Sequence, residues 1–288
     1  MMSEISVIVY SYKGKSLKDT LRYLYKNSSG KRKIEVMVID QHPLNRRESF
    51  VEEFDCKYVH VFWDWQDGPC VYKSDLFSFV DSKYMMIISD NIALSKNWDD
   101  ELVNFVGNTN NIVSGNKRLS FKKKNLFYLD KIFANTETFE LNNFIDRHLI
   151  FGITTNIRNF QYPRYLKYNG EEEELSLQLY VNGIDVYSAP SSLYEIKDID
   201  TLEELYIPFS INHNYNEIIE LFYNGKNKYI DLTNKKRKVV DFFNFHHFNF
   251  SDLKKLPFLT NDVSYSPQDL NFNKVDARKF VARTKAIH

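Results

Sequence analysis

The chain has 288 residues, enough to bury a hydrophobic core as one large domain or two small ones. Lys plus Arg and Asp plus Glu both number 38, so net charge does not indicate a polyanionic partner. Two cysteines, Cys56 and Cys70, exclude a disulfide-rich scaffold, and we interpret them as free thiols in a reducing compartment. No window approaches the roughly 20 apolar residues of a membrane span, so we expect a soluble, cytoplasmic protein without a membrane partner.

The first third of the chain predicts strands that alternate with helices. The predicted strands cover residues 5–10, 34–39, 58–62 and 84–88. The predicted helices lie near residues 16–25, 46–54 and 73–80, and Ser16 is expected to cap the first of them. This alternation predicts an α/β protein with a mostly parallel, Rossmann-like sheet flanked by helices. A Rossmann dehydrogenase is disfavoured because no Gly-x-Gly-x-x-Gly follows the first strand.

Polar residues follow three of these strands. Residues 10–12, 40–41 and 89–91 stand where parallel strands end, and such sheets bind ligands at that edge. Asn97 is expected to cap a helix that runs to about Val106, followed by a short strand at residues 112–113. Beyond residue 200 the pattern is weaker, with helices expected near 201–206 and 215–223 and an aromatic run at 242–250.

Ser89-Asp90-Asn91 offers a carboxylate and an amide oxygen directly after a buried strand. A divalent metal held there could neutralise the charge of a bound diphosphate. The alternative is a turn or a helix cap, which Asp-Asn pairs often form.

Four consecutive glutamates, residues 171–174, open a helix that Gly183 is expected to end. Acids in the first turn complement the helix dipole and could simply remain solvated. Leu175 and Leu179 give the helix an apolar side, so its acidic end could instead point toward the ligand edge of the sheet. Both interpretations stay open at this point.

The order and spacing of these elements over about residues 5–195 resemble a known family. It is the family of cytoplasmic polypeptide N-acetylglucosaminyltransferases that act on hydroxyproline. The resemblance rests on Ser11-Tyr12, Thr20-Leu21, Gln41, Gly68-Pro69, Ser89-Asp90-Asn91, Trp98-Asp99, Phe151-Gly152, Gly170-Glu171-Glu172, Leu175-Ser176 and Gly183-Ile184-Asp185. The sequence departs from the family pattern where Lys73 and Gln178 replace arginines, and where Asn91 replaces a metal-binding histidine.

The resemblance implies the GT-A fold and a retaining, metal-dependent transferase that uses a UDP-sugar. The transferase core would span residues 1–195, and residues 196–288 would form a C-terminal accessory region on the acceptor side. The implied donor-binding residues are Ser11, Tyr12, Gln41, Lys73, Trp98 and Asp99. The implied ligands of Mn²⁺ or Mg²⁺ are Asp90, Asn91 and Glu195, with His246 and His247 as rivals. Glu171 and Glu172 would face the sugar or the acceptor hydroxyl. Trp98 could equally be a core anchor.

The acceptor is open between DNA and protein. Two basic clusters, residues 117–131 and 235–238, could contact phosphates, and the many Asn, Phe and Tyr residues suggest AT-rich coding such as that of a phage. We therefore favour a 5-hydroxymethyl-pyrimidine in phage DNA, modified in the host cytoplasm. The alternatives are a Ser, Thr or hydroxyproline hydroxyl of a protein, or an inactive sugar-nucleotide or carbohydrate-binding module. Either basic cluster could also be only a solvated face.

Overall fold

The structure is a computed structural model. It describes residues 3–12, 16–41, 50, 52–61, 77, 80–120, 130–133, 135–159, 171–197, 220–222 and 224–246. All of these belong to one unit, Met1–Phe248, and the second unit, Asn249–His288, lies outside the described residues. The predicted boundary at residue 195 stays a prediction.

The strands of the described residues are β1 (Ile5–Tyr12), β2 (Ile34–Gln41), β3 (Cys56–Val61), β4 (Tyr84–Ser89), β5 (Ile92–Leu94), β6 (Ile112–Ser114), β7 (Lys117–Ser120), β8 (Asp130–Phe133), β9 (Glu140–Leu141), β10 (Leu149–Ile153), β11 (Val186–Ser188) and β12 (Tyr194–Ile196). The helices are α1 (Leu17–Lys26), α2 (Trp98–Val106), α3 (Thr154–Arg158), α4 (Glu171–Val181) and α5 (Val239–Phe245). The predicted helices near 46–54, 73–80 and 201–206 lie wholly or largely outside the described residues.

Eight strands form the central sheet, in the order β3-β2-β1-β4-β10-β6-β11-β9. Neighbouring pairs among β3, β2, β1 and β4 are parallel, as are β6 and β11, whereas β10 and β9 run antiparallel to their neighbours. The predicted α/β fold with a mostly parallel sheet is therefore confirmed. Two further pairs, β12 with β5 and β7 with β8, lie beside this sheet.

Apolar side chains cover both faces of the sheet. Val7 and Val9 join a cluster that includes Leu21 of α1 and Leu102 of α2, whereas Ile8 points into a second cluster. That second cluster contains Leu175 and Leu179 of α4. Successive strand residues point to opposite faces, so helices pack on both sides of the sheet. No helix within the described ranges combines the length and the apolar character needed to cross a membrane.

Two predicted helix caps need correction. Ser16 and Asn97 do precede α1 and α2, but neither side chain caps its helix with a hydrogen bond. Asn97 has a left-handed backbone with φ 60, and its N–H donates to the carbonyl of Asn27 at 2.7 Å. A helix cap normally needs an extended backbone to direct its side chain at the first turn, which this conformation does not give.

Candidate active site

The carboxyl ends of β1, β2 and β4 bring three predicted site segments to one edge of the sheet. In the parallel register Ser11 lies opposite Asp40 and Tyr12 opposite Gln41. Ser11 and Gln41 are buried. β4 ends at Ser89 on the other side of β1, so the Ser-Asp-Asn segment begins at the same edge. Lys73, the other predicted donor-binding residue, lies outside the described residues.

The Ser89–Asn91 segment is a buried turn between β4 and β5. Ser89 Oγ donates to Asn91 Oδ1 at 2.6 Å. Thr20 Oγ1 of α1 donates to the carbonyl of Asp90 at 2.8 Å, and the N–H of Lys197 donates to the carbonyl of Asn91 at 2.7 Å. Contacts with α1 and with the end of β12 therefore fix the backbone of this turn.

The four glutamates at the start of α4 are buried, with only 1–4% of each residue exposed. The interpretation that they remain solvated is therefore wrong. The other end of α4 closes as predicted at Gly183, which has φ +78. There the N–H of Gly183 donates to Tyr180 and that of Ile184 to Leu179, which is a Schellman motif. The apolar contacts of Leu175 and Leu179 fix the helix and hold its acidic first turn inside the protein.

Glu172 is held by groups from two other segments. Its Oε1 accepts a hydrogen bond from the backbone N–H of Arg147 at 3.0 Å. The Nζ atom of Lys117 lies 3.5 Å from the same oxygen, and Nε of Arg147 lies 4.0 Å away. Because both cations and a backbone N–H approach one oxygen, the orientation of this carboxylate is set by its surroundings.

Lys117 also reaches Asp146, whose side chain is fully buried. Lys117 Nζ lies 3.6 Å from Asp146 Oδ1, and the ring Nδ1 of His148 lies 2.6 Å from that oxygen. The N–H of Ser89 in turn donates to the carbonyl of His148 at 3.2 Å. A continuous chain of contacts through His148, Asp146 and Lys117 thus joins the Ser89–Asn91 turn to Glu172.

Burial and neighbouring charges act in opposite directions on Asp146 and His148. Burial alone would raise the pKa of Asp146, but the Lys117 ammonium and His148 outweigh it and hold that pKa below its ordinary value. Burial lowers the pKa of the His148 imidazole despite the opposing Asp146 carboxylate. At neutral pH we therefore expect an ionised Asp146 beside a neutral His148.

Gly115 makes room for the Asp146 carboxylate. A Cβ atom added at Gly115 would lie 2.2 Å from Asp146 Oδ2, a distance that no substituent can occupy without displacing Asp146. The absence of a side chain at residue 115 is therefore part of what positions this carboxylate beside Lys117.

The interpretation of Lys117 as part of an exposed basic surface is wrong. Lys117 is only 6% exposed and lies between two buried carboxylates. Counting lysines along the chain missed this role because the partners stand far away in the sequence. Asp146 and Glu172 show no local pattern that would join them to Lys117, although their carboxylates meet its ammonium in the fold.

Trp98 and Asp99 lie away from the site edge. Trp98 is fully buried, and its indole N–H donates to the carbonyl of Leu24 at 3.1 Å. Asp99 accepts hydrogen bonds from the N–H and hydroxyl of Ser29, at 2.7 and 2.6 Å. Ser29 follows α1 and precedes β2, so it lies at the amino edge of the parallel strands. The alternative reading of Trp98 as a core anchor accounts for these contacts, and the donor-binding assignment does not.

Two of the three predicted metal ligands fit a cation. Asp90 and Asn91 are buried at the site edge, whereas Glu195 is exposed on β12 and pairs with Lys197. Asn91 Nδ2 is buried and has no hydrogen-bond partner within the described ranges. If that amide were rotated by 180°, Nδ2 would donate to Ser89 Oγ and Oδ1 would take the unpartnered position, where it could accept a cation. The described residues contain no group of three or more His, Cys, Asp or Glu side chains arranged for a metal.

His246 is packed among aromatic rings at the end of α5. Its ring centroid lies 4.6 Å from that of Phe242 and 6.5 Å from that of Phe144. These contacts support the reading of His246 as a packing residue, while His247 lies outside the described residues.

Comparison with known proteins identifies the fold. No family model and no curated protein matches the sequence. Among solved structures, GalNAc-T7 with UDP, GalNAc and Mn²⁺ matches with a TM-score of 0.62 and 13% identity, covering 88% of this chain and 56% of that one. Residues 1–349 of S. aureus TarS with UDP-GlcNAc match with a TM-score of 0.60 and 15% identity, covering 86% and 73%. This chain thus spans little more than half of the GalNAc-T7 structure, and at these identities the similarity shows that the chain has the GT-A fold.

Proposed function

We propose that this protein is a glycosyltransferase that moves a sugar from a nucleotide-sugar donor to an acceptor hydroxyl. The observation that carries this proposal is the buried Glu172 carboxylate, held by Lys117 and Arg147 at the sheet edge where Ser11, Gln41 and Asp90 also lie. Burying a charged carboxylate costs free energy of folding, so its presence beside a ligand-binding edge is better explained by a role in group transfer than by a role in stability.

The donor is a UDP-sugar in this proposal. The similar structures of GalNAc-T7 and TarS contain UDP, GalNAc or UDP-GlcNAc, and both share the fold of this chain. Ser11, Tyr12 and Gln41, together with Lys73, would hold the nucleotide and the diphosphate. Asp90 and Asn91 would hold Mn²⁺ or Mg²⁺, which when bound supplies positive charge to the departing diphosphate. Trp98, Asp99 and Glu195 have no role in this proposal.

Glu172 would orient the acceptor hydroxyl, with Glu171 beside it at the start of α4. In the transfer the bond between the sugar C1 and the diphosphate oxygen breaks, and a bond from C1 to the acceptor oxygen forms. The acceptor attacks C1 from the face that the diphosphate leaves, which retains the configuration, and its proton passes to the departing phosphate oxygen. Lys117 and Arg147 would keep the Glu172 carboxylate in a fixed orientation during this step.

The acceptor that we favour is a 5-hydroxymethyl-pyrimidine in DNA. The burial of Lys117 removes one residue from the supporting basic surface, but Lys235, Lys236 and Lys238 of the second cluster are exposed. A protein hydroxyl is the alternative acceptor, and an inactive sugar-nucleotide or carbohydrate-binding module is the alternative without catalysis. Activity on a peptide hydroxyl with none on hydroxymethylated DNA would reverse the choice of acceptor.

Hydrolysis of a UDP-sugar tests the proposal without requiring the acceptor. We expect slow release of UDP by the wild type with Mn²⁺ and a loss of at least about 100-fold in Glu172→Gln. Its stability should change far less, because Lys117 keeps Asp146 as a partner and the Gln oxygen still accepts from the N–H of Arg147. Glu101→Gln is a matched control because Glu101 is exposed on α2. Transfer to plain DNA, hydroxymethylated DNA and peptides then identifies the acceptor. Absence of hydrolysis with every UDP-sugar, or full activity of Glu172→Gln, would contradict the proposal.

A further inference from the structure

Residues 225–238, which we name the basic hairpin, carry a strong local charge. They contain six basic residues and one acidic residue, a net charge of +5 in a chain whose total is zero. The exposed members are Lys226, Lys228, Lys235, Lys236 and Lys238. Asp231 is the acidic residue, and hydrogen bonds from Thr233, followed by the charges of Lys226 and Lys235, lower its pKa.

Backbone contacts give the basic hairpin a fixed turn. The N–H of Leu232 donates to the carbonyl of Gly225 at 2.6 Å, and the N–H of Asn227 donates to Ile230 at 2.9 Å. The side chain of Asn227 accepts from the N–H groups of Tyr229 and Ile230 at 2.8 and 2.9 Å. The lysines are therefore displayed on an ordered backbone, which lowers the entropy lost when a partner binds.

The second half of the basic hairpin is fixed to the end of α4. The N–H of Arg237 donates to the carbonyl of Val181 at 3.0 Å, and its guanidinium lies 2.6 Å from Asp185 and 4.9 Å from the ring centroid of Tyr180. The side chain of Lys236 passes over Gly183, where an added Cβ would lie 2.9 Å from it. Arg237 thus anchors the segment, and the lysines around it face solvent.

An aromatic ring lies among these lysines. Tyr229 is 50% exposed, and Nζ of Lys228 lies 4.7 Å from its ring centroid. Exposed lysines contact phosphates without reading sequence, and an exposed ring can stack on an unpaired base. Neither a solvated face nor an acidic protein partner accounts for the exposed ring as directly as a nucleic acid does.

We propose that the basic hairpin is a docking surface for the phosphodiester backbone of DNA. It is separate from the acceptor pocket, since α4 has eleven residues and its length places the Val181 end about 16 Å from its first turn. The surface would hold a DNA chain near the transferase without touching the reacting atoms. The biological use of this surface rests on the proposed transferase function. The binding of DNA itself does not, because it does not require the sugar donor.

Salt-dependent binding of fluorescent duplex and single-stranded DNA to the full chain tests this proposal. The test variant carries Lys226→Gln, Lys235→Gln and Lys238→Gln. The control variant carries Lys26→Gln, Lys33→Gln and Lys96→Gln, three exposed lysines of α1 and its surroundings. We expect the test variant to bind DNA at least about tenfold more weakly than the wild type. The magnitude of the slope of log binding constant against log salt concentration should fall by about 2 to 3, because three phosphate contacts are lost. The control variant should change neither the affinity nor the slope.

Tyr229→Ala separates stacking from charge. We expect it to weaken single-stranded DNA binding by about fivefold or more and duplex binding much less. Equal binding by the test variant and the wild type, or tighter binding of a sulfated polysaccharide than of DNA at equal salt, would overturn the proposal. UDP-sugar hydrolysis by the same variants should match the wild type. If the wild type and all of these variants lack hydrolysis while DNA binding still depends on the basic hairpin, the transferase proposal fails and the docking surface stands.

Discussion

Replacing Lys117 with methionine tests the centre of the proposed site. The substitution keeps an unbranched side chain of nearly the same length but removes the ammonium, which lies 3.6 Å from Asp146 and 3.5 Å from Glu172. Breaking a buried ion pair by removing one partner costs about 3–5 kcal/mol. Because Arg147 still contacts Glu172 and His148 still contacts Asp146, we expect a loss near the lower limit, about 3 kcal/mol of unfolding free energy.

The loss of stability should depend on pH in a defined direction. In the wild type the lowered pKa of Asp146 contributes stability above about pH 4, and this contribution is lost as the pH falls through the folded-state pKa. Without Lys117, burial raises the pKa of Asp146, so the ionised carboxyl destabilises the folded protein at neutral pH. The stability difference between wild type and variant should therefore be largest near pH 7 and shrink toward pH 4.

Chemical denaturation between pH 4 and pH 8 measures this difference, with UDP-sugar hydrolysis measured in parallel. Lys117→Arg should retain more stability and activity than Lys117→Met, because it keeps the charge. Lys96→Met is the control, since Lys96 is exposed near the amino edge of the sheet. If Lys117→Met is as stable as the wild type at pH 7, or loses the same stability at every pH, Lys117 does not compensate buried charge.

Two further substitutions test the packing around the site and the position of Trp98 away from it. Gly115→Ala should displace Asp146 and destabilise the protein by about 1–3 kcal/mol, with a fall in hydrolysis. Gly107→Ala is the control, because its backbone, with φ +53, makes the substitution costly in stability while no atom within 4 Å is disturbed, so hydrolysis should not change. Trp98→Phe should lower the free energy of unfolding by about 1–3 kcal/mol, because it removes the hydrogen bond to the carbonyl of Leu24 and leaves a cavity. Donor affinity measured by thermal shift should not change in Trp98→Phe. A lower affinity would restore the predicted donor role of Trp98.

The sheet and its ligand edge were predictable because they depend on local patterns. Apolar runs at residues 5–10, 34–39 and 84–88 gave strands that the structure extends by one or two residues toward the carboxyl edge. The extension covers polar residues such as Ser11 and Asp40, which pair with each other through the backbone. Backbone pairing of this kind leaves no periodicity in the side chains, so the strand ends were placed too early.

The ion network was not predictable because its members are distant in the sequence. Lys117 stands 55 residues before Glu172, and its neighbourhood in the chain is rich in lysine. That composition favours a surface, and only the fold shows the two carboxylates on either side of its ammonium. The position of Trp98 was not predictable for a related reason. Motif spacing identifies the start of a helix but does not say which edge of the sheet that helix start approaches.

The acidic start of α4 bears on function through its burial. The helix dipole favours a carboxylate in the first turn by about 0.3–1 kcal/mol, which is small beside the several kcal/mol that removing an ion from water costs. A first turn that served only the helix would therefore keep its carboxylates in water, as Asp19 does on α1. Glu172 is instead enclosed and then matched by Lys117 and the N–H of Arg147. That matching holds the carboxylate in one orientation, which is what positioning an acceptor hydroxyl would need.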